Sequence, residues 1–434
     1  MTCLVAVQGR LGDLTESERA LLLERAPAAG GSVARRTAEI VARVRRDGDE
    51  ALRALAEELD GVSLPVLEVP RSQWERALAT IPRPLREALE RAAANIRAVH
   101  QALRPATTRV VTRDGVIVIR RPDPLERVGV YAPGGRAGYP SSLLMGAVPA
   151  RVAGVAEVIV CSPPAEPSGL PAPAVLAAAA IAGADRLFAL GGAGAVAAMA
   201  YGTKTVPRVD RIVGPGNAWV AEAKIQVARD VGIDSPAGPS ELLVLADGTA
   251  DPAAVAGELA AQAEHDPEAC VALVSTDPAL VEAVAVELAC RADASPRAPI
   301  IREALAARAG LLVAASLDEA LVFTAAYAAE HVLVACREPR SVAARVRNAG
   351  TVFIGQTSSV TFGDYLTGAN HVLPTGGAAR RFSGLSTADF VRWTTTQEVP
   401  RLAAAGLAPL AAILAEAEGL PAHAAAALAW ENRP

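Results

Sequence analysis

The sequence predicts an α/β protein with two parallel-sheet units and small helical segments at its N- and C-termini. Three observations carry that expectation. From residue 127 onward short apolar runs alternate with helical stretches, several runs end in glycine turns, and 51% of the residues are apolar although only 3% are aromatic. Apolar strands alternating with helices read as βαβ units whose parallel sheet is buried on both faces. At 434 residues the chain exceeds one ordinary core, so two or three domains are expected.

The elements follow in order. The opening MTCLVAVQGRLGDLTE lacks a basic region followed by a long apolar one, and no apolar run reaches bilayer length; a cytoplasmic protein is expected. Residues 32–58 and 84–103 carry apolar positions three and four apart and read as amphipathic helices. The alternation in "GVIVIRRP" reads as a strand. "RVGVYAPGG" is a strand entering a Pro-Gly-Gly turn, and "EVIVCSPP" is a buried strand stopped by two prolines. "DRLFALGGAGAVAAMAYG" and "VDRIVGPGN" each run from strand to glycine turn. A sheet of this kind places its ligand edge at the strand C-termini. Past "SPAGPSELLVLAD" the strands "CVALVST", "LLVAA" and "HVLVAC" form a second unit, which the N-terminal helices are expected to complete. Beyond Ser386 the chain reads as a helical tail too short for its own core and expected to pack on a partner subunit.

Five dispersed cysteines without a Cys-x-x-Cys pair suggest buried thiols rather than disulfides or a thiolate metal site. The net charge of −5 and the lack of a basic stripe argue against nucleic acid.

Of the five histidines, His100 stands alone in an amphipathic helix and reads as a surface or packing residue. "AAQAEHDP" sets Gln262 and His265 on one helix face, as a solvated pair or as two donors for one metal. Glu330 and His331 open the strand "HVLVAC", where they can act in proton transfer or simply cap it. "FGDYLTGANHVLPTGG" brings Asp364 and His371 into a turn-rich stretch whose spacing fits no zinc finger. "AEAEGLPAH" carries Glu418 and His423. Gly192, Gly194 and Ala197 form G-x-G-x-x-A between a strand and a helix, with Asp210 sixteen residues beyond Gly194, the outline of a dinucleotide fingerprint.

Seven strings, "VGVYAPGGRAGYPSS", "VDRIVGPGNAWVAEAK", "IDSPAGPSELLVLAD", "AAQAEHDP", "AEH", "GDYLTGANHVLPT" and "AEAEGLPAH", occur in the order found in histidinol dehydrogenases, which the chain resembles over nearly its whole length. The resemblance implies two Rossmann-like domains and oxidation of L-histidinol to L-histidine through L-histidinal, with two NAD and a zinc ion. It implies Gln262, His265, Asp364 and His423 as zinc ligands, His331 as general base and Glu330 as the carboxylate that activates water. Ser240, His371 and Glu418 match substrate contacts, alongside the zinc ligands and His331. Tyr131, Asn217 and Gly194 match cofactor positions. It further implies a homodimer whose C-terminal tail completes the neighbour's site. The expected division is an N-terminal segment at 1–24, a zinc-bearing domain of 25–130 with 241–386, a cofactor-side domain at 131–240 and a tail at 387–434.

Two positions depart from the family pattern. Gly194 stands where the family has a glutamine, so the G-x-G-x-x-A outline arises by substitution and is set aside. Val360 stands where most members have glutamate at the substrate pocket. These departures motivate an alternative, a zinc- and NAD-dependent dehydrogenase of the same fold acting on another small polar alcohol. A zinc hydrolase is disfavoured by glutamine as a ligand, and a non-catalytic scaffold by the intact Glu330–His331 pair.

Overall fold

Apolar runs of Val, Ile and Leu become parallel strands where crossover helices cover both faces. The structure is a computed structural model describing residues 4–25, 31–134, 138–235 and 238–431. In chain order, β1 (Val7–Arg10) precedes the N-terminal helices, and β2 (Thr108–Val111) and β3 (Ile117–Pro124) follow them. Next come β4 (Arg127–Tyr131), β5 (Glu157–Ser162), β6 (Arg186–Ala189), β7 (Arg211–Val213) and β8 (Gly232–Ile233). The series continues with β9 (Glu241–Ala246), β10 (Cys270–Ser275), β11 (Gly310–Val313), β12 (His331–Ala335), β13 (Thr351–Ile354) and β14 (Val391–Glu398).

One parallel sheet has the order β6-β5-β4-β7-β8, and another has β1-β11-β10-β9-β12-β13. Counted from its own first strand, each is wound 3-2-1-4-5, with β1 added beside β11. The same winding therefore occurs twice in a chain whose sequence shows no repeat. All six residues of β9 are buried, and separate apolar clusters fill the two faces of the second sheet.

The chain divides into two units, Met1–Leu103 with Glu126–Phe390, and Arg104–Leu125 with Val391–Pro434. In the second unit, β14 pairs antiparallel with β3 and β3 with β2. Its helices Arg401–Ala417 and Pro421–Leu428 bury Ala412, Ala415 and Ala424 between them.

Several expectations change. The helices Gly31–Asp47, Arg71–Thr80 and Arg83–Ala102 do not complete the second sheet, because they pack on helices of the first. What the N-terminal segment adds to the second sheet is β1 beside β11 and the helix Glu16–Leu23, whose Leu22 lies with Leu11 in the cluster on one face. The helix expected over 32–58 breaks at Gly48, where φ is 56°. The stretch after Ser386 is not helical throughout: a 3-10 turn at Thr387–Phe390 leads into β14, whose Val, Trp and Thr residues are strand formers. Cys161, Cys270 and Cys336 are buried thiols, but Cys290 is exposed, and Cys3 lies outside the described residues. In the expected Pro-Gly-Gly turn, Gly135 also lies outside them. Among the described residues no helix is long and apolar enough to cross a membrane.

Candidate active site

In the first sheet the winding reverses between β4 and β7, which opens a crevice at their C-terminal ends. Tyr131 ends β4, and Gly214 follows β7 with φ 116°; a Cβ there would collide with the Tyr131 carbonyl, so only glycine fits. The Tyr131 hydroxyl is buried and accepts from Gly192 N–H at 3.0 Å, and burial pushes its pKa up to about 12. Asn217 is exposed and caps the helix Ala218–Val227, its Oδ1 accepting from Val220 N–H at 3.2 Å. A buried Lys224–Asp234 ion pair braces the crevice floor, with Lys224 Nζ donating to Gly214 O and Gly214 N–H donating to Asp234. Gly194 lies on the helix Gly192–Tyr201, and a Cβ there would face Leu55 and Leu52 in ordinary contact. A cleft of about 570 Å³ lined by Arg127, Arg208, Asp210 and Asp230 lies at the opposite edge of this sheet and contains none of the expected site residues.

In the second sheet the expected residues gather at the N-terminal strand edge, the reverse of the general expectation. The reason is the local chain path. Crossover helices run antiparallel to parallel strands, so their C-terminal ends and the αβ loops meet the N-terminal strand edge. Gln262 ends one such helix, Pro252–Ala263, and His265 follows it. Glu330 follows Leu317–Tyr327, and His331 opens β12. Between them Ala328 adopts the left-handed conformation at φ 52°, a strain of roughly 1–2 kcal/mol for a residue with a Cβ.

His331 Nδ1 donates to the Glu241 carbonyl at 3.2 Å, which leaves Nε2 with a free lone pair. Burial lowers its pKa to about 3, so the ring is neutral. Glu330 Oε2 accepts from Glu241 N–H at 2.8 Å. Burial pushes the Glu330 carboxyl well above its ordinary value, the charges of Glu241 and Asp364 adding to the effect and the Glu241 N–H opposing it. His331 Nε2 lies 3.7 Å from Asp364 Oδ1, and Nδ1 lies 3.7 Å from Glu330 Oε2.

Asp364 is carried on the short helix Val360–Tyr365; burial and then the Glu258 charge push its pKa up to about 7. His371 Nδ1 donates to Asp364 O at 2.7 Å, so its Nε2 accepts from Ser142 Oγ at 3.3 Å. Asn370 Nδ2 donates to Met145 O at 2.8 Å. Both bonds tie this loop to the first-sheet helix Pro140–Ala153. His265 is exposed at its edge, yet desolvation still lowers its pKa. Ser240 is half-buried beside β9, and its carbonyl accepts from Cys270 N–H at 3.0 Å.

Among the described residues no group of three or more His, Cys, Asp or Glu side chains is placed to hold a metal. The expected set is not of that kind: it includes an amide, Gln262, and its fourth member, His423, lies in the second unit. In the first unit, Gln262 is buried, His265 bears on the charge of His331, and the side chain within ion-pair distance of Asp364 among the described residues is the neutral ring of His331, 3.7 Å away. An amide oxygen, a neutral imidazole and a carboxylate short of positive charge suit a zinc ion. Glu418 and His423 are exposed in the second unit.

Val360 is not at a pocket surface. It is 3% exposed and packs in the same core cluster as Phe353, and its N–H donates to Glu258 Oε2 at 3.0 Å. His100 is a buried packing residue, with neither ring nitrogen hydrogen-bonded within the described structure. Sequence reasoning missed Glu241, Glu258, Ser142 and Arg25. The signal for Glu241 was present, a carboxylate opening the apolar run "ELLVLA"; Arg25 gave none.

A family model described as histidinol dehydrogenase matches residues 23–429. The chain is 49% identical over 416 residues to the histidinol dehydrogenase of Halobacterium salinarum, covering 96% of this chain and 97% of that one. It is 46% identical over 389 residues to that of Xanthomonas euvesicatoria pv. vesicatoria, covering 89% and 90%. Among solved structures, the histidinol dehydrogenase from Elizabethkingia anophelis matches with a TM-score of 0.94 at 33% identity, covering 99% and 98%.

Proposed function

The chain belongs to the histidinol dehydrogenase family and is an enzyme of that type, and from that premise we propose how its residues oxidise L-histidinol to L-histidine at the end of histidine biosynthesis. The observation that carries the reading is the buried Glu330–His331 dyad beside Asp364 and His371, at an edge tied to the helix Pro140–Ala153. The alternative of another polar alcohol loses its main motive, because Val360 is a core residue.

In the first oxidation, the alcohol loses a hydride and a proton to give the aldehyde, and His331 Nε2 takes the proton. In the second, water adds to the aldehyde, and the hydrate loses a hydride and protons to give the carboxylate. Glu330, raised in pKa by its burial, is suited to take the proton of the attacking water. Bound NAD supplies the hydride acceptor for each step, and a bound zinc ion supplies positive charge that orients the substrate amine and imidazole. Gln262, His265 and Asp364, with His423, would hold that ion. Ser240, His371 and Glu418 would contact the substrate. Tyr131 and Asn217, with the backbone at Gly194, would line the cofactor crevice, its place supported by the winding reversal at β4 and β7.

The protein acts in the cytoplasm as a homodimer in which His423 and Glu418 complete the neighbour's site. Supporting this are their exposure in the second unit and the apolar surface of the preceding helix Arg401–Ala417, where Leu402, Leu410, Ile413 and Leu414 are exposed.

The test is NADH produced per L-histidinol, with zinc and after chelation. Two NADH per substrate, abolished by the chelator and restored by zinc, are expected. NADH formation that survives complete zinc removal would overturn the metal assignment, and none from the zinc-loaded protein would overturn the substrate.

A further inference from the structure

Arg25 belongs to no strand or helix, yet its side chain is fully buried. Its Nε and Nη2 donate to Glu241 Oε1 and Oε2 at 3.0 and 3.1 Å, a two-point clasp. Nη1 donates to Leu22 O at 2.8 Å and Nη2 to Tyr327 O at 2.7 Å, while the guanidinium carbon lies 3.4 Å from the Tyr327 ring centroid. The cation thereby holds the end of the helix that leads into Glu330.

Glu241 carries the contact onward. Its Oε1 accepts from Gly376 N–H at 2.7 Å and its Oε2 from Glu330 N–H at 3.3 Å. Its own N–H and carbonyl engage the Glu330 carboxylate and the His331 ring. Every polar atom of Glu241 is thus committed to Arg25, to the 376 turn or to the dyad. On the other side of the same segment, Gly350 N–H donates to Ala329 O at 3.0 Å and Thr351 N–H to Glu330 O at 2.9 Å.

A buried ion pair is a weak source of stability, since apolar residues of similar volume often serve as well. What this pair supplies that apolar residues cannot is direction. It fixes the backbone on both sides of Ala328 and sets where the Glu330 carboxylate and the His331 Nε2 point.

We propose that Arg25 and Glu241 are positioning residues for the Glu330–His331 dyad, acting as one clamp that reaches it from the N-terminal segment. This rests on the dyad as the proton-transfer pair. The test uses Glu241→Gln and Arg25→Lys, with Arg25→Met/Glu241→Gln as a second route that leaves no lone buried ion if a single variant fails to fold. Folded variants are expected to lose roughly tenfold or more in kcat for both oxidations, with KM for L-histidinol and NAD little changed, as displaced catalytic groups do. Arg25→Lys should retain more activity than the double variant.

A merely structural role would lower the folded fraction and leave kcat per folded molecule intact, and that result overturns the proposal. Amide hydrogen exchange without substrate reads the clamp independently of the reaction. The Glu330 and Gly376 amides should exchange faster in Glu241→Gln while the slowest core amides do not; unchanged exchange also overturns it. If the unmodified enzyme makes no NADH from L-histidinol, the substrate assignment falls and the exchange result alone decides the clamp.

Discussion

His331 is held neutral and in one tautomer by burial and by its bond to the Glu241 carbonyl. An asparagine keeps the size and a polar edge but cannot take a proton. His331→Asn is therefore expected to leave zinc bound and lower kcat by about 10² or more, read by turnover and metal content together. Glu330→Gln should slow the second oxidation more than the first, and equal loss in both would contradict its role with water. His100 poses a separate question of stability. Its folded pKa is pushed down by burial, only partly offset by the Asp389 charge, so the unfolded chain binds the extra proton. Stability is fully present above the unfolded value and drains as pH falls through about 6.5 toward the folded one. His100→Met removes a buried ring without hydrogen bonds and should gain about 1 kcal/mol at pH 7. The gain should widen below about pH 6.5. Urea unfolding at both pH values checks it, and a destabilised variant with unaltered pH dependence would contradict it.

At the level of elements, the dyad depends on how closely β12 and β13 approach at their N-terminal ends. A Cβ on Gly350 would lie 2.5 Å from the Glu330 carbonyl, and backbone on both sides leaves little room to give. Gly350→Ala should cost about 1–3 kcal/mol and also lower kcat per folded enzyme, because the displaced atom belongs to the dyad residue itself. Loss of stability without loss of turnover would show that the backbone relaxes away from the site. The two sheets share a device. Lys224–Asp234 holds Gly214 at the crevice between β4 and β7, and Arg25–Glu241 holds Glu330 at the dyad. Each is a buried ion pair set on the backbone of a functional loop.

For the whole molecule, the prediction concerns sharing between subunits. His423→Ala and His331→Asn should each be inactive alone. If His423 serves the neighbour's site, a mixed dimer has one site with both changes and one with neither, so random mixing should restore about a quarter of full activity. No recovery after verified subunit exchange would place His423 in its own subunit's site. The parallel α/β character was legible from the alternation of runs such as "EVIVCS" and "CVALVS" with Ala-rich helices, because burial on both faces demands continuous apolar strands, whereas the strand order came only from the structure. The association of β14 with β3 was not, since an antiparallel pair across 271 residues of separation leaves no local periodicity linking the two.

The sequence by itself determined the α/β class and the family, and it singled out Glu330 and His331 as the candidate dyad, because strand periodicity and ordered motifs are local properties of the chain. Only the tertiary structure decided that the dyad sits at the N-terminal strand edge, that Val360 is core, and that Arg25 reaches Glu241. These depend on contacts between segments distant in sequence. Which face of an element is buried is settled by what packs against it, and a single charged residue such as Arg25 shows no pattern until its partner is beside it.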